Sequence, residues 1–252
     1  MHDSLLFYPI LFLAGLFAGL VDSIAGGGGL ITLPVLLGLG FPPQVALATN
    51  KFQASFGSFT ASYYYVRGNV VSLHDAFPGI LFTLIGAALG TWVVRQIDNH
   101  ILASAIPIAL LVIAVYMLFT PSVGRIESRA KISPIMFYAV AGSALGFYDG
   151  FFGPGVGSFW AIALVAGLGF DLTRATGYTK VMNFTSNIVS FFVFLAGGLV
   201  WFTAGIAMAA GQILGARIGA GLVIQKGVRF IKPIFITMVI LTTIKLLYDR
   251  FF

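Results

Sequence analysis

Residues 14–28 read AGLFAGLVDSIAGGG, and residues 141–155 read AGSALGFYDGFFGPG. The two stretches carry the same residues, Ala, Gly, Gly, Asp, Gly and Gly, at the same relative positions, with a spacing of 127 residues. Each is an apolar run that ends in an aspartate followed by a group of glycines. Similarity at a fixed spacing is the signature of a duplicated unit. The chain is therefore predicted to consist of two related halves.

The duplication extends beyond these stretches. GLGF at residues 38–41 recurs at residues 167–170, and Lys51 corresponds to Lys180, both at a spacing of 129 residues. A two-residue insertion between Gly155 and Gly167 accounts for the change of spacing. We divide the chain into a first repeat (1–121), a basic linker (122–132) and a second repeat (133–252).

The composition is that of an integral membrane protein. Of the 252 residues, 59% are apolar and 9% charged, and the mean hydropathy is +1.00. A soluble domain has about 25% charged residues, so a soluble enzyme, a coiled coil and a disordered chain are all excluded. The sequence contains no cysteine, which excludes disulfides, thiol catalysis and cysteine metal sites.

Ten apolar segments, five in each half, predict an all-α polytopic protein. The second segment of each half is short, because 30–39 at about 1.5 Å per residue covers only half of a hydrocarbon core of about 30 Å. We expect the first two segments of each half to form a helical hairpin broken at the glycines, which either spans the membrane or re-enters it. The predicted segments are 5–24, 30–39, 44–66, 71–94, 101–120, 134–149, 157–168, 174–196, 201–223 and 233–250.

The basic residues predict the topology. An odd number of segments per half gives the two halves opposite orientations, which is the inverted-topology repeat of many secondary transporters. Alternation then places eight basic loop residues on one side and only Arg95 and Arg250 on the other. The positive-inside rule makes the first side cytoplasmic and puts both termini outside, in a bacterial inner membrane. The eight residues are Arg67, Arg125, Arg129, Lys131, Arg174, Lys226, Arg229 and Lys232. Because topology accounts for the net charge of +6, no nucleic-acid partner is expected.

The glycine breaks are candidate binding sites. Glycines let the backbone approach a ligand closely, and the helix N-terminus that follows them favours an anion. The alternative is that the glycines only permit close helix packing. Asp22 and Asp149 lie in the breaks and could carry a proton or hold a lysine. The candidate backbone positions are Gly26, Gly27, Gly28, Gly153 and Gly155.

Lys51 and Lys180 lie at matching positions inside apolar segments. A charge at the centre of a transmembrane helix costs about 2.5 to 3.5 kcal/mol on insertion scales, which suggests that the two cations draw an anion inwards. Alternatively, each lysine snorkels to the surface or pairs with Asp22 or Asp149.

Polar side chains cluster beside both lysines and predict a cavity lined by them, although interhelical hydrogen bonding would also explain them. We expect Thr49, Asn50, Gln53, Asn183 and Asn187 to bind the substrate. Secondary candidates are Tyr148, Gln212 and Arg217, of which Arg217 either pairs with Asp149 or lies near the cytoplasmic end.

These motifs resemble a known family. Residues 19–30 with 46–51, and residues 146–155 with Lys180, Asn183 and Asn187, resemble the two signatures of the TauE/SafE family of anion exporters. The similarity is greatest to its bacterial branch of probable membrane transporter proteins. The resemblance implies a carrier in the cytoplasmic membrane for sulfite, an organosulfonate or a similar small anion, with export driven by the proton gradient.

We therefore predict a secondary transporter of a small anion that works by alternating access. An anion channel of the same architecture remains an alternative, as does a cation transporter using Asp22 and Asp149. A membrane-embedded enzyme, or a subunit of a larger complex, would need a catalytic constellation that the sequence does not show. No cofactor or metal is expected, since His2, His74 and His100 lie far apart at segment ends. We expect the chain to act in the lipid bilayer alone or as a homodimer.

Overall fold

The computed structural model describes residues 6–119, 130 and 132–226, and throughout this part of the chain the regular elements are helices, without strands. Residues 6–119 contain five helices, and the part that starts at residue 132 begins with two short helices joined by a π-helical turn. The elements are α1 (Phe7–Ala25), α2 (Gly29–Gly38), α3 (Pro43–Arg67), α4 (Leu73–Val94), α5 (Asn99–Phe119), α6 (Pro134–Phe137), the π turn (Tyr138–Gly142), α7 (Ser143–Phe151), α8 (Val156–Leu168), α9 (Leu172–Leu195) and α10 (Phe202–Lys226).

The predicted segments agree with these helices to within a few residues wherever the structure describes them. The predicted segment 134–149 corresponds to α6, the π turn and α7 together, which follow one another without a gap. The predicted segment 233–250 and most of the predicted linker 122–132 lie outside the described residues.

At the second GLGF motif, residues 167–170, local sequence signals end helix α8 and start helix α9. Gly169, at a φ of 72°, ends α8 in the left-handed conformation that glycine adopts without strain. The Asp171 side chain then accepts hydrogen bonds from the backbone N–H groups of Thr173 at 2.7 Å and Arg174 at 3.0 Å. Asp171 is therefore the N-cap of α9, and the chain turns sharply between the two helices.

Among the described residues, three helices are long and apolar enough to cross a membrane: Phe7–Ile24, Leu73–Val94 and Phe202–Ile224. Their outer faces expose large apolar side chains such as Leu13, Leu84 and Ile206. Exposed apolar surface of this extent indicates contact with membrane lipid. The helical fold and these surfaces are those of a polytopic membrane protein.

Helices α3 and α9 pack against each other at the centre of the molecule. Helix α10 covers α3 and runs along α1, whereas α4 covers α9 and runs along α7. Glycines make the two outer pairs close, because a Cβ on Gly215 would collide with the Leu16 carbonyl and a Cβ on Gly90 with the Phe147 carbonyl. Small residues at such contacts let helix backbones approach each other in a membrane. Gly90 and Gly215 therefore serve close helix packing.

Helices α2 and α8, which follow the two glycine breaks, are short, about 15 Å and 20 Å long at 1.5 Å per residue. A Cβ on Gly28 would lie 3.0 Å from the Ala18 carbonyl oxygen. Because Ala18 is in the middle of α1, the chain folds back on α1 after the glycines. The predicted hairpin at 5–39 is confirmed in this respect, and neither short helix is long enough to cross the hydrocarbon core alone.

Candidate functional site

The two glycine breaks meet at the centre of the protein. A Cβ on Gly26 would lie 2.5 Å from the Cα of Gly157, so the two backbones are in direct contact. The Ser158 hydroxyl donates a hydrogen bond to the Gly26 carbonyl at 3.3 Å. The breaks, 127 residues apart in the sequence, are thus parts of one site.

A cavity of about 30 Å³ lies beside this contact, which is room for about two water molecules. It brings together most of the residues that the sequence predicts for the site. Its predicted lining residues are Asp22, Gly27, Gly28, Asn50, Lys51, Asp149, Gly153, Gly155, Asn183, Asn187 and Gln212.

Two helix N-termini face the cavity. Helix α2 begins at Gly29 and α8 at Val156, and both residues line the space. The first backbone N–H groups of a helix have no partner within the helix, and the helix dipole adds a partial positive charge there. The cavity is therefore electropositive on two sides before any side-chain charge is counted.

Asp149 is held tightly by two side chains. Lys51 Nζ lies 2.5 Å from Asp149 Oδ1, and the two side chains are 1% and 4% exposed. The Ser186 hydroxyl donates a hydrogen bond to the other carboxylate oxygen. Both oxygens of this buried carboxylate thus have partners on the central helices α3 and α9.

Asp22 is held in a different way, mainly by backbone donors. The N–H groups of Gly27 and Gly28 donate to Asp22 Oδ1 at 3.0 Å and 3.2 Å. Lys180 Nζ lies 3.1 Å from Asp22 Oδ2 and also donates to the Asp22 main-chain carbonyl. The Asp22 side chain is 19% exposed, so it faces the cavity more openly than Asp149 does.

The lysine of each half therefore pairs with the aspartate of the other half. The alternative that the lysines snorkel to the surface is wrong, because both are essentially inaccessible. The alternative that they pair with the aspartates is confirmed. The four side chains carry a net charge of zero when all are ionised. This neutrality allows them to be buried together, since an unpaired charge in this position would be costly.

Amide side chains complete the cavity wall. Asn50 Oδ1 accepts hydrogen bonds from Gln53 Nε2 at 2.9 Å and Thr32 Oγ1 at 2.5 Å, which hold the Asn50 amide in place. Asn187 Nδ2 lies 3.5 Å from the Ser58 hydroxyl. Asn183 is 3% exposed, and within the described residues its Oδ1 atom has no hydrogen-bond partner.

Five predicted site residues lie near the cavity without lining it. Lys180 and Gly26 are behind it, in the contacts described above, and Gln53 supports Asn50. The Thr49 hydroxyl, near the start of α3, accepts a hydrogen bond from the Trp201 N–H at 3.1 Å. The Tyr148 hydroxyl donates to the Pro154 carbonyl at 2.7 Å and so fixes the second break.

Arg217 does not belong to the cavity. It lies on an exposed face of α10, and the described part of the chain shows no ion pair between Arg217 and Asp149. The alternative of an Arg217–Asp149 pair is wrong because α10 turns this side chain away from the centre, while Lys51 already occupies the place beside Asp149.

Sequence reasoning missed six residues of the site, of which Ala54 and Val156 are apolar residues of the cavity wall. Ser186 stands within a run of polar residues, which could have indicated it. Gly29 and Gly157 lie within two residues of the ends of the quoted stretches 14–28 and 141–155 but were not singled out. Thr32 gave no signal, because it is a lone hydroxyl in the apolar run of α2.

Fold and site define a polytopic membrane protein with a charged, glycine-lined centre. A family model described as "Sulfite exporter TauE/SafE" matches residues 11–246. A probable membrane transporter protein of Haemophilus influenzae is 45% identical over 96% of this chain and 94% of its own length. The probable membrane transporter protein YfcA of Escherichia coli is 42% identical over 98% of this chain and 91% of its own length.

The chain belongs to the TauE/SafE family of membrane transporters. The resemblance inferred from the two glycine motifs and their lysines is confirmed.

Proposed function

We propose that this protein is a secondary transporter that exports a small oxyanion, such as sulfite or an organosulfonate, across the bacterial cytoplasmic membrane. The observation that carries the proposal is the convergence of two helix N-termini, those of α2 and α8, on one cavity beside Lys51 and Lys180. Helix N-termini bind compact anions through backbone N–H groups. In inverted-repeat transporters, broken helices present such ends to anionic substrate groups.

The two Lys–Asp pairs suggest how binding of the anion can be coupled to binding of a proton. Each lysine is neutralised by an aspartate, so it can bind an anion strongly only when its carboxylate moves away or takes up a proton. A proton and a monovalent oxyanion entering together leave the net charge of the site unchanged. This balance of charges supports transport of the anion and a proton in the same direction, so that net export requires an outward anion gradient that exceeds the inward proton gradient.

Alternating access is supported by features that recur in both halves. The Trp201 N–H donates to the Thr49 hydroxyl at 3.1 Å, and the Ser72 N–H donates to the Tyr178 hydroxyl at 3.3 Å. At the spacing of 129 residues, Ser72 corresponds to Trp201 and Thr49 to Tyr178. Each bond ties a loop to a central helix two residues before the lysine. We name these two bonds the loop latches.

A surface pocket adjoins each loop latch. One, of about 330 Å³, is lined by Val45 and residues 198–203. The other, of about 390 Å³, is lined by Asn69, Val70, Ser72, Asp171, Thr173, Arg174 and Tyr178. These pockets lie at corresponding positions of the two halves, as expected for the two mouths of a carrier built from inverted repeats. We assign the mouth with Arg174 to the cytoplasm, because the basic loop residues belong to that side.

The alternatives fit the site less well. A cation would have to bind beside carboxylates that lysines already neutralise, and the two helix N-termini would repel it. A channel needs a continuous water-filled path, whereas the central cavity has room for about two water molecules.

Thermal unfolding of the purified protein across a panel of anions and cations tests the proposal. A ligand that binds only the folded state stabilises it by about 2.7 kcal/mol at 100 times its dissociation constant. We expect sulfite, sulfate or an organosulfonate to raise the melting temperature, and Lys180→Met to abolish the shift. Arg217→Met is the matched control, since it removes an exposed cation from α10 and should leave the shift intact. A shift caused by cations alone, or equal losses in both variants, would contradict the proposal.

A further inference from the structure

We propose that the carboxylate of Asp22 occupies the place of the transported oxyanion, and that the anion binds when Asp22 takes up a proton and leaves. This inference rests on the proposed function and narrows it, because it places the anion at the first glycine break and assigns the coupling proton to one residue.

The groups around Asp22 are those of an anion site. Its carboxylate is bound by the N–H groups of Gly27 and Gly28, at the start of α2, and by the ammonium group of Lys180. Two backbone N–H groups and a cation are the donors with which proteins bind phosphate and sulfate at helix N-termini. A sulfonate or sulfite group presents oxygens to the same donors.

The cavity adjoins this carboxylate and contains a polar group without a partner. Asp22 lines the space together with Asn183, which is almost fully buried. Asn183 Oδ1 has no hydrogen-bond partner within the described residues. A planar amide can turn to present its NH₂ group, so Asn183 can donate to a third oxygen of the anion.

The corresponding aspartate of the second half lacks these donors. Pro154 stands where the first half has Gly27, and proline has no N–H group. Asp149 is held by Lys51 and Ser186 on the central helices, with both oxygens occupied and little access to the cavity. Asp149 therefore keeps Lys51 in position while Asp22 exchanges with the substrate.

The charges that face Asp22 fix the stoichiometry. Lys180 reaches it from α9, and Lys51 and Asp149 stand across the cavity. Tyr65 approaches from α3, where its hydroxyl donates to the Ser23 carbonyl at 2.9 Å. These groups and Asp22 sum to zero, and protonation of Asp22 changes the sum to +1. One monovalent anion then restores neutrality, so the proposal specifies one proton for each monovalent oxyanion.

Competition between carboxylate and substrate predicts a particular pH dependence. The apparent dissociation constant is the intrinsic value divided by the fraction of binding-competent protein. Wherever Asp22 is mostly ionised, one pH unit changes its protonated fraction tenfold. The dissociation constant for an anion of fixed charge should therefore rise about tenfold per pH unit.

Calorimetric titration of the purified protein with methanesulfonate, sulfite and sulfate over a range of pH tests the inference. Methanesulfonate is the main probe because its charge does not change over the range in which carboxylates titrate. We expect Asp22→Asn to bind it with an affinity that is independent of pH and higher than that of the wild type at neutral pH. This variant should fold, because Lys180 keeps its bond to the main-chain carbonyl of residue 22.

Two further variants keep the test decisive. Asp149→Asn should retain the tenfold change per pH unit, since Asp22 still competes. Gly27→Pro removes one N–H donor and reproduces the Gly-Pro-Gly order found at residues 153–155, so it should fold and bind methanesulfonate about tenfold or more weakly.

The inference is wrong if Asp22→Asn retains the pH dependence of the wild type, if Asp149→Asn alone loses it, or if Gly27→Pro binds as the wild type does. In each of these cases oxyanion binding by the wild type would still support the proposed function. If none of the three anions binds the wild type or Asp22→Asn, both the inference and the proposed function fail.

Discussion

The two glycine breaks present the same aspartate to the same cavity but hold it with different donors. In the first break, Gly27 and Gly28 give their N–H groups to Asp22. In the second break, Pro154 has no N–H to give, and Asp149 receives the hydroxyl of Ser186 instead. At the position corresponding to Ser186 the first half has Gly57, and the Gln212 side chain fills the space beside it.

The difference shows that two similar stretches of sequence can hold an aspartate in two different ways. The aspartate, the lysine and the flanking glycines are the same in both halves, so the ion pairs are of the same kind. The neighbours decide whether the carboxylate is locked between central helices or stands at a helix N-terminus beside the cavity. The residues that distinguish the halves are thus Gly27 against Pro154 and Gly57 against Ser186.

Removing the Asp149 carboxylate should have the largest effect on the free energy of unfolding. Asp149→Ala leaves the buried Lys51 ammonium without its partner, and breaking a buried pair in this way costs about 3 to 5 kcal/mol. Asp22→Ala should cost clearly less, because Lys180 keeps the main-chain carbonyl and Asp22 is partly accessible. The unfolding free energies of the two variants in detergent, measured from the loss of the helical circular dichroism signal, give the difference. Equal losses would mean that the two pairs are equivalent.

A methyl group at the contact between the breaks should also have a large effect. In Gly157→Ala the new Cβ would lie 2.5 Å from the Gly26 Cα, so one backbone must move. Overpacking of this kind costs about 1 to 3 kcal/mol. Gly221→Ala on α10 is the control, since its Cβ would meet no atom within 4 Å. A melting temperature that falls equally in both variants would show that the contact does not hold the breaks together.

Removing the Ser186 hydroxyl should weaken only the second pair. A hydrogen bond to a charged group contributes about 1.5 to 3 kcal/mol, so Ser186→Ala should lower the stability by a similar amount. Ser55→Ala, whose hydroxyl bonds to the Lys51 carbonyl of its own helix at 2.7 Å, should lower it by less. If the two serine variants have the same unfolding free energy, the Ser186 hydroxyl does not help to hold the Asp149 carboxylate in place.

Removing either loop latch should lower the free energy of unfolding least, and by about the same amount in both cases. Thr49→Val and Tyr178→Phe each remove a hydroxyl that accepts a hydrogen bond from a backbone N–H, that of Trp201 or Ser72. We expect each change to cost about 1 kcal/mol. Chemical denaturation of both variants provides the comparison. A large inequality would mean that the halves differ at their loops as well as at their aspartates.

The sequence contained most of the fold, because the lengths of the apolar runs and the positions of glycine determine where membrane helices begin and end. The segment 44–66, for example, corresponds to α3 at Pro43–Arg67. The first break was predicted correctly: no helix continues through Gly26, because its φ of 70° is not helical.

The sequence could not decide the pairing within the site. Lys51 and Lys180 were each compatible with either aspartate, since the choice depends on how α3 and α9 lie against α1 and α7. Arg217 was a reasonable candidate as a cation within an apolar segment, and only the orientation of α10 excludes it. Thr32 could not have been identified, because its contact with Asn50 joins residues from different helices.

Transport by the purified protein in liposomes tests the central claim most directly, namely that the two lysines and the two helix N-termini form an oxyanion carrier. We predict saturable uptake of labelled methanesulfonate or sulfite that a pH gradient drives. Uptake should be lost in the Lys51→Met and Lys180→Met variants and kept in Arg217→Met. Uptake that does not saturate, that selects cations, or that survives both lysine substitutions would contradict the account.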